Sequence, residues 1–88
     1  MAGTRERAVA GAVAEELRAL LARRQLDALS LARSSGIPNS TLDTLLKGTA
    51  AMDVDQLARI CRALEIEPGD LLTVAIARIP NQPGEQHP

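Results

Sequence analysis

The sequence predicts one small, nearly neutral domain without aromatic side chains. Its 88 residues carry 10 Lys and Arg against 11 Asp and Glu, and 45% are hydrophobic without any Phe, Trp or Tyr. This composition predicts a compact aliphatic helical bundle and argues against readers of single-stranded nucleic acid, which stack bases on aromatic side chains. A single cysteine excludes an internal disulfide framework, and the N-terminus has no apolar run of signal-peptide or membrane-span quality. We therefore expect a cytoplasmic protein.

Apolar residues at helical spacing predict a long first helix over about residues 5–24. They are Val9, Val13, Leu17, Leu20 and Leu21. Charged residues fall mostly on the other faces, which is typical of an amphipathic helix that covers a core.

Two short helices around a tight turn are predicted next, over about residues 28–35 and 38–46. Asp27 is a good N-cap for the first of them. Gly36 supplies the left-handed backbone that ends it, and Pro38 fits the first turn of the following helix, where its missing N–H costs nothing.

The pattern then predicts a loop and a fourth helix. Gly48 closes the third helix, residues 49–52 form the loop, and Asp53 caps a helix over about residues 54–64. The residues expected to face inward are Val54, Leu57, Ile60, Cys61 and Leu64. We expect Cys61 to pack as a small core residue rather than to act as a reactive thiol.

The C-terminal part of the domain has two interpretations. Pro68 is typical of a helix start, and a helical face follows it, formed by Leu71, Leu72, Ala75, Ile76 and Ile79. Val74, Ile76 and Arg78 also alternate, so a short strand after Leu72 is an alternative. Residues 80–88 show no periodicity, so we expect a domain over 1–79 followed by a disordered tail.

Residues 26–48 resemble the motif of the Cro/repressor-type helix-turn-helix family, the xenobiotic-response-element-like regulators. The likeness extends over about residues 12–73. Its motif positions are Ala32, Gly36, Ile37, Leu42 and Leu45, with Lys47-Gly48 at the end. The resemblance implies an all-α, five-helix, lambda-repressor-like bundle. Two positions depart from the family pattern: Ala28, where members often carry Gln, and Ser35, where an apolar residue or Ala is usual.

The resemblance implies a phage or bacterial DNA-binding regulator of transcription, Cro-like or repressor-like, that acts as a homodimer by occupying an operator. Its third helix would lie in the major groove of double-stranded DNA. The residues expected to face base edges are Asn39, Ser40, Asp43 and Thr44. Asn suits adenine, Thr offers a methyl to thymine, and Asp can accept from cytosine. The alternative is that Asn39, Ser40 and Thr41 are only helix-start residues, and Asp43 can instead repel misplaced phosphates.

Phosphate contacts are expected from cations around the motif and from one hydroxyl that matches a family position. They are Arg23, Arg24, Arg33, Lys47 and Thr41. Residues 1–48 carry seven basic and five acidic groups, whereas residues 49–88 carry three basic and six acidic groups. The basic half therefore contains the motif. Arg5 and Arg7 can form a basic arm on DNA or lie solvated at the start of the first helix.

No enzyme site is recognisable in the sequence. The only histidine, His87, lies in the predicted tail, no Cys/His cluster suits zinc, and the glycines lack phosphate-loop spacing. We therefore expect no catalytic residue, no metal and no cofactor.

Two further interpretations concern partners. Val74, Ile76 and Ile79 exceed what a five-helix core needs, so they predict a dimer interface, unless Ile76 and Ile79 fold back onto the first helix. The acidic C-terminal half and the missing Gln at position 28 favour, as an alternative function, an antitoxin-like or other protein-interaction module with a protein partner.

Overall fold

The computed structural model describes the backbone of residues 2–79 and the side chains of residues 8–79. This part of the chain holds five helices and no strand: α1 (Ala2–Arg24), α2 (Ala28–Ser35), α3 (Asn39–Lys47), α4 (Val54–Leu64) and α5 (Pro68–Ala77). The predicted all-α five-helix fold is confirmed. The strand alternative after Leu72 is wrong, because α5 continues to Ala77. The predicted disordered tail, residues 80–88, lies outside the described residues.

Local capping groups set the ends of the two short helices. The Ser30 amide donates to the Asp27 carboxylate at 2.8 Å, as expected of an N-cap. Gly36 and Gly48 end α2 and α3 with φ angles of 75° and 77°, a left-handed conformation that glycine adopts without steric cost. Asp27 thus sets the start of α2, and the two glycines set the ends of α2 and α3.

Three predicted helix positions need correction. Helix α1 begins at Ala2, earlier than residue 5. Pro38 is the N-cap of α3, with a φ of −55° and a ψ of 142°, so α3 covers 39–47 rather than 38–46. Val54, predicted to face inward, is 83% exposed, because the first turn of α4 extends past the buried stripe on that helix. Asp53 caps α4 as predicted, in a capping box with Gln56.

The core is entirely aliphatic apart from one thiol. The fully buried large side chains are Leu17, Leu42, Ile60, Leu64 and Cys61. Burial, and to a smaller degree Glu67, raises the pKa of the Cys61 thiol, so the group stays protonated in the core as expected. On α5, Leu71 and Ala75 are buried, whereas Ile76, one of the residues predicted to exceed the needs of the core, is 53% exposed. None of the described helices combines the length and apolar character of a membrane span.

A buried carboxylate ties the end of α5 to α1. Glu16 is 6% exposed and accepts two hydrogen bonds from the Arg78 guanidinium, at 2.6 and 3.0 Å, and one from Arg23 at 3.4 Å. The hydrogen bonds from Arg78, opposed by burial and supported by Arg23, hold the pKa of Glu16 below its ordinary value of 4.5. The ion pair therefore stabilises the folded state when Glu16 is ionised.

We expect Glu16→Gln to lower the free energy of unfolding at pH 7 by about 1 kcal/mol, since water partly screens the half-exposed Arg78. A lowered folded-state pKa means that this stabilisation is present above pH 4.5 and is lost as the pH falls through the folded pKa. Urea denaturation of both proteins between pH 3 and 7 measures the difference. A difference that stays constant down to pH 3 would contradict this role of Glu16.

Candidate nucleic-acid interface

Helix α3 has one buried face and one polar face. Leu42, Leu45 and Leu46 are buried against the rest of the bundle. The exposed side chains on the opposite side are Asn39, Ser40, Asp43, Thr44 and Lys47. Because positions three and four apart lie on the same side of a helix, the four residues predicted to face base edges form one continuous surface with Lys47. Below, this surface is called the α3 polar face.

A buried serine satisfies polar groups in the turn between α2 and α3. The Ser35 hydroxyl donates to the Ala32 carbonyl at 3.4 Å and accepts from the Ile37 amide at 3.3 Å. Ser35, the small residue that departs from the family pattern, therefore completes the turn. Ile37 is buried and anchors the turn to the core.

The first turn of α3 leaves its side-chain polar groups available. Among the described residues, neither the Asn39 amide nor the Ser40 hydroxyl hydrogen-bonds to another protein group, and both side chains are exposed. The Thr44 hydroxyl donates to the Ser40 carbonyl at 3.1 Å, which leaves its lone pairs and methyl group facing solvent. These are groups that can contact base edges in a major groove.

An ion pair crosses the end of the α3 polar face. The Lys47 ammonium lies 2.9 Å from the Asp43 carboxylate, and their side chains are 66% and 57% exposed. A pair this exposed is worth little free energy, so Lys47 can leave Asp43 for a phosphate at small cost. In the absence of DNA, Asp43 neutralises the positive charge of Lys47.

The predicted phosphate contacts differ in their availability. Arg33 is exposed in the last turn of α2, and no carboxylate lies within ion-pair distance of it among the described side chains. Arg23 is 61% exposed and pairs weakly with Glu16 at 3.4 Å. Thr41 is half-buried. The Arg24 guanidinium donates to the Leu64 carbonyl at the end of α4, so a phosphate would have to compete with that hydrogen bond.

The N-terminus of α2 carries a negative charge. The backbone hydrogen bond from Ser30 holds the pKa of Asp27 below its usual range, so the cap is a carboxylate at neutral pH. Ala28 adds no polar group beside it. A carboxylate at this end competes with a phosphate for the helix amides. Of the cations predicted to contact phosphates, Arg33, Lys47 and Arg23 are exposed and not bound to a backbone carbonyl in the part of the chain that the structure describes.

One contact to α3 has no counterpart in the sequence-based predictions. The Arg18 guanidinium donates to the Leu46 carbonyl in the last turn of α3. The two residues are 28 positions apart, and the periodicity of α1 indicates only that Arg18 lies off its apolar face. No local pattern in the sequence could have identified the contact.

The predicted basic arm and the question of a metal site concern other parts of the chain. The side chains of Arg5 and Arg7 lie outside the described residues, so the basic-arm interpretation stays a prediction. In the part of the chain that the structure describes, no group of three or more His, Cys, Asp or Glu side chains could hold a metal ion.

Comparisons with known proteins give one family model and two similar proteins. The model of the Cro/C1-type HTH DNA-binding domain matches residues 16–75. An uncharacterised HTH-type transcriptional regulator of Bacillus subtilis (strain 168), YozG, is 39% identical over 54 residues, or 60% of this chain and 64% of the relative. The crystal structure of the clp gene regulator ClgR from C. glutamicum has a TM-score of 0.76 and 26% identity. That match covers 84% of this chain and 96% of the other.

Proposed function

Because the chain belongs to the Cro/C1-type helix-turn-helix DNA-binding domain family, we propose that it is a sequence-specific regulator of transcription that occupies an operator as a homodimer. This is a family of DNA-binding regulators rather than of enzymes. The observation that carries the proposal is the α3 polar face: exposed polar side chains lie on one side of a helix whose opposite side is anchored in the core by three buried leucines. The regulatory names of the two relatives support a role in transcription.

In this proposal α3 is the recognition helix and lies in the major groove of double-stranded DNA. Asn39 makes a bidentate contact to adenine, Thr44 contacts a thymine methyl, and Asp43 accepts from cytosine N4. Ser40 tolerates more than one base. Lys47 and Arg33 contact the phosphates on either side, with Arg23 and Thr41 as further contacts that fix register rather than sequence. Arg24 stays bound to the Leu64 carbonyl at the end of α4.

A second copy of the chain binds the second half-site of the operator. One recognition helix reads only a few base pairs, and dimers of this kind read two half-sites about one helical turn apart. Val74 and Ile76 are 46% and 53% exposed on α5, and Ile79 is half-buried beside them. We infer that these three residues form the dimer interface, hereafter the α5 apolar surface.

The separate roles of Asn39 and Lys47 give the direct test. Selection from a random duplex pool first provides the preferred site, which should be a palindrome. Asn39→Ala should then cost about 1–3 kcal/mol on that site and little on random duplex, because it removes a base contact. Lys47→Ala should weaken both duplexes about equally, because a phosphate contact carries no sequence information.

The matched pair of variants controls for unfolding, since both positions are exposed. Equal losses on both duplexes for Asn39→Ala would show that the reading role is wrong. Absence of binding by the wild type to any duplex at low salt would instead favour the protein-interaction module. The carboxylates of Asp27 and Asp43 beside the motif are the features that favour that second function.

A further inference from the structure

We propose that Arg18 on α1 is a positioning residue that holds the recognition helix at the angle required to read its operator. The proposal rests on the proposed function and adds to it a residue outside the helix-turn-helix. It is carried by three contacts that join α1 to the C-terminal end of α3 and to the end of α5.

The first contact is the hydrogen bond from the Arg18 guanidinium to the Leu46 carbonyl. The last carbonyls of a helix have no partner within the helix and need donors from elsewhere. In α3 the Gly48 amide donates to Leu45 at 3.1 Å, and the Thr49 hydroxyl donates to Thr44 at 3.3 Å. Both of those donors follow α3 directly in the chain. Arg18 is therefore the donor that connects the end of α3 to another helix.

The second contact is a close approach of the two backbones. A Cβ atom added to Gly48 would lie 3.1 Å from the Gly11 Cα and 3.4 Å from the Ala14 Cβ. Gly11, Ala14 and Arg18 are spaced i, i+3 and i+7, so they lie on one face of α1. Two small residues let the helices meet, and one turn later Arg18 fixes their relative rotation by a directional hydrogen bond.

The third contact joins α1 to the helix that carries the α5 apolar surface. Arg78, at the end of α5, is bound to Glu16, which precedes Arg18 by two residues. The same stretch of α1 thus contacts the helix of the α3 polar face through Arg18 and the C-terminal end of α5 through Glu16. In a dimer, the angle between the two recognition helices depends on this connection, and so does the spacing of the half-sites they can read.

Arg18→Met tests the role, because Met keeps an unbranched side chain but removes the charge and the donors. We expect the affinity for the selected operator to fall about tenfold or more, while the affinity for random duplex and its salt dependence stay as in the wild type. In the absence of DNA, amide hydrogen exchange at residues 45–48 should accelerate about tenfold. Arg18→Lys should recover part of both effects, since its ammonium can still donate to the carbonyl.

Arg62→Met is the matched control. Arg62 is exposed in the last turn of α4, and the variant removes the same charge from a position without a contact to α3. It should change neither the exchange at residues 45–48 nor the ratio of operator to random affinity.

Three results would overturn the positioning role. One is unchanged exchange at residues 45–48 in Arg18→Met. Another is an equal loss of operator affinity in Arg62→Met. The third is a salt slope on random duplex that falls by about one per subunit in Arg18→Met, which would make Arg18 a phosphate contact. Failure of the proposed function is recognised separately, because the wild type itself would then bind no duplex.

Discussion

Raising the salt concentration from 50 to 200 mM should lower the affinity of the wild-type protein for duplex DNA by about 10³-fold. Each phosphate neutralised by a cation releases counterions, and proteins with roughly 6–10 such contacts lose about 10³–10⁵ in affinity over this range. The structure favours the lower end of that range. Among the predicted phosphate contacts, Arg33, Lys47 and Arg23 are the exposed cations that are not bound to a backbone carbonyl of the described residues, which gives about six contacts for a dimer.

The structure also predicts which arginine leaves the salt slope unchanged. Arg33→Ala should reduce the slope by about one per subunit, because Arg33 has no competing partner among the described side chains. Arg24→Ala should keep the slope and lower the stability instead, because its guanidinium caps α4 at Leu64. Fluorescence anisotropy on a labelled random duplex at several salt concentrations, with urea denaturation alongside, measures both. Salt-independent binding would rule out this electrostatic surface.

The helix boundaries around the motif could be predicted because local chemistry sets them. Asp27 and Gly36 delimit α2, and Asp53 starts α4, through hydrogen bonds and φ angles that involve only neighbours in the chain. The same residues indicated the register of α3, from which the exposure of the α3 polar face could be predicted. Pro38 was misplaced by one residue, because a fixed φ near −60° suits both the N-cap and the first turn.

Contacts between distant parts of the chain could not be predicted in this way. Arg18 and Arg24 donate to carbonyls 28 and 40 residues away, and a backbone carbonyl leaves no trace in a sequence pattern. The exposure of Val54 was missed for a related reason: helical spacing shows which residues share a face, but not where the neighbouring helices stop. Burial at the ends of helices depends on the packed fold.

The α5 apolar surface gives the second prediction with a large effect. Val74 and Ile76 are about half exposed on a short helix whose opposite side, Leu71 and Ala75, is buried in the core. Exposed apolar patches on a small domain commonly mark an interface, and in a two-fold dimer each residue of the patch contributes twice. Ile79 is packed partly against the core, so we expect it to border the interface rather than to form its centre.

Ile76→Asp should therefore give folded monomers that bind the palindromic operator about 10²–10⁴-fold more weakly. A charge at this position opposes its symmetry mate across the interface, and a monomer loses the gain in affinity that comes from engaging two linked half-sites. Sedimentation equilibrium at micromolar concentration and circular dichroism measure association and fold, and titration of the full operator and of a half-site measures the loss. Affinity for the half-site should change little.

Val54→Asp is the matched control, because Val54 is an even more exposed aliphatic residue, 83% accessible, at the start of α4 rather than on α5. It removes the same kind of surface and adds the same charge, so it should leave the wild-type dimer intact. A wild type that sediments as a monomer, or an Ile76→Asp protein that stays dimeric, would show that the interface lies elsewhere. Equal dissociation in both variants would show that added negative charge, rather than the α5 apolar surface, controls association. Dissociation confined to Ile76→Asp would locate the two-fold axis at α5.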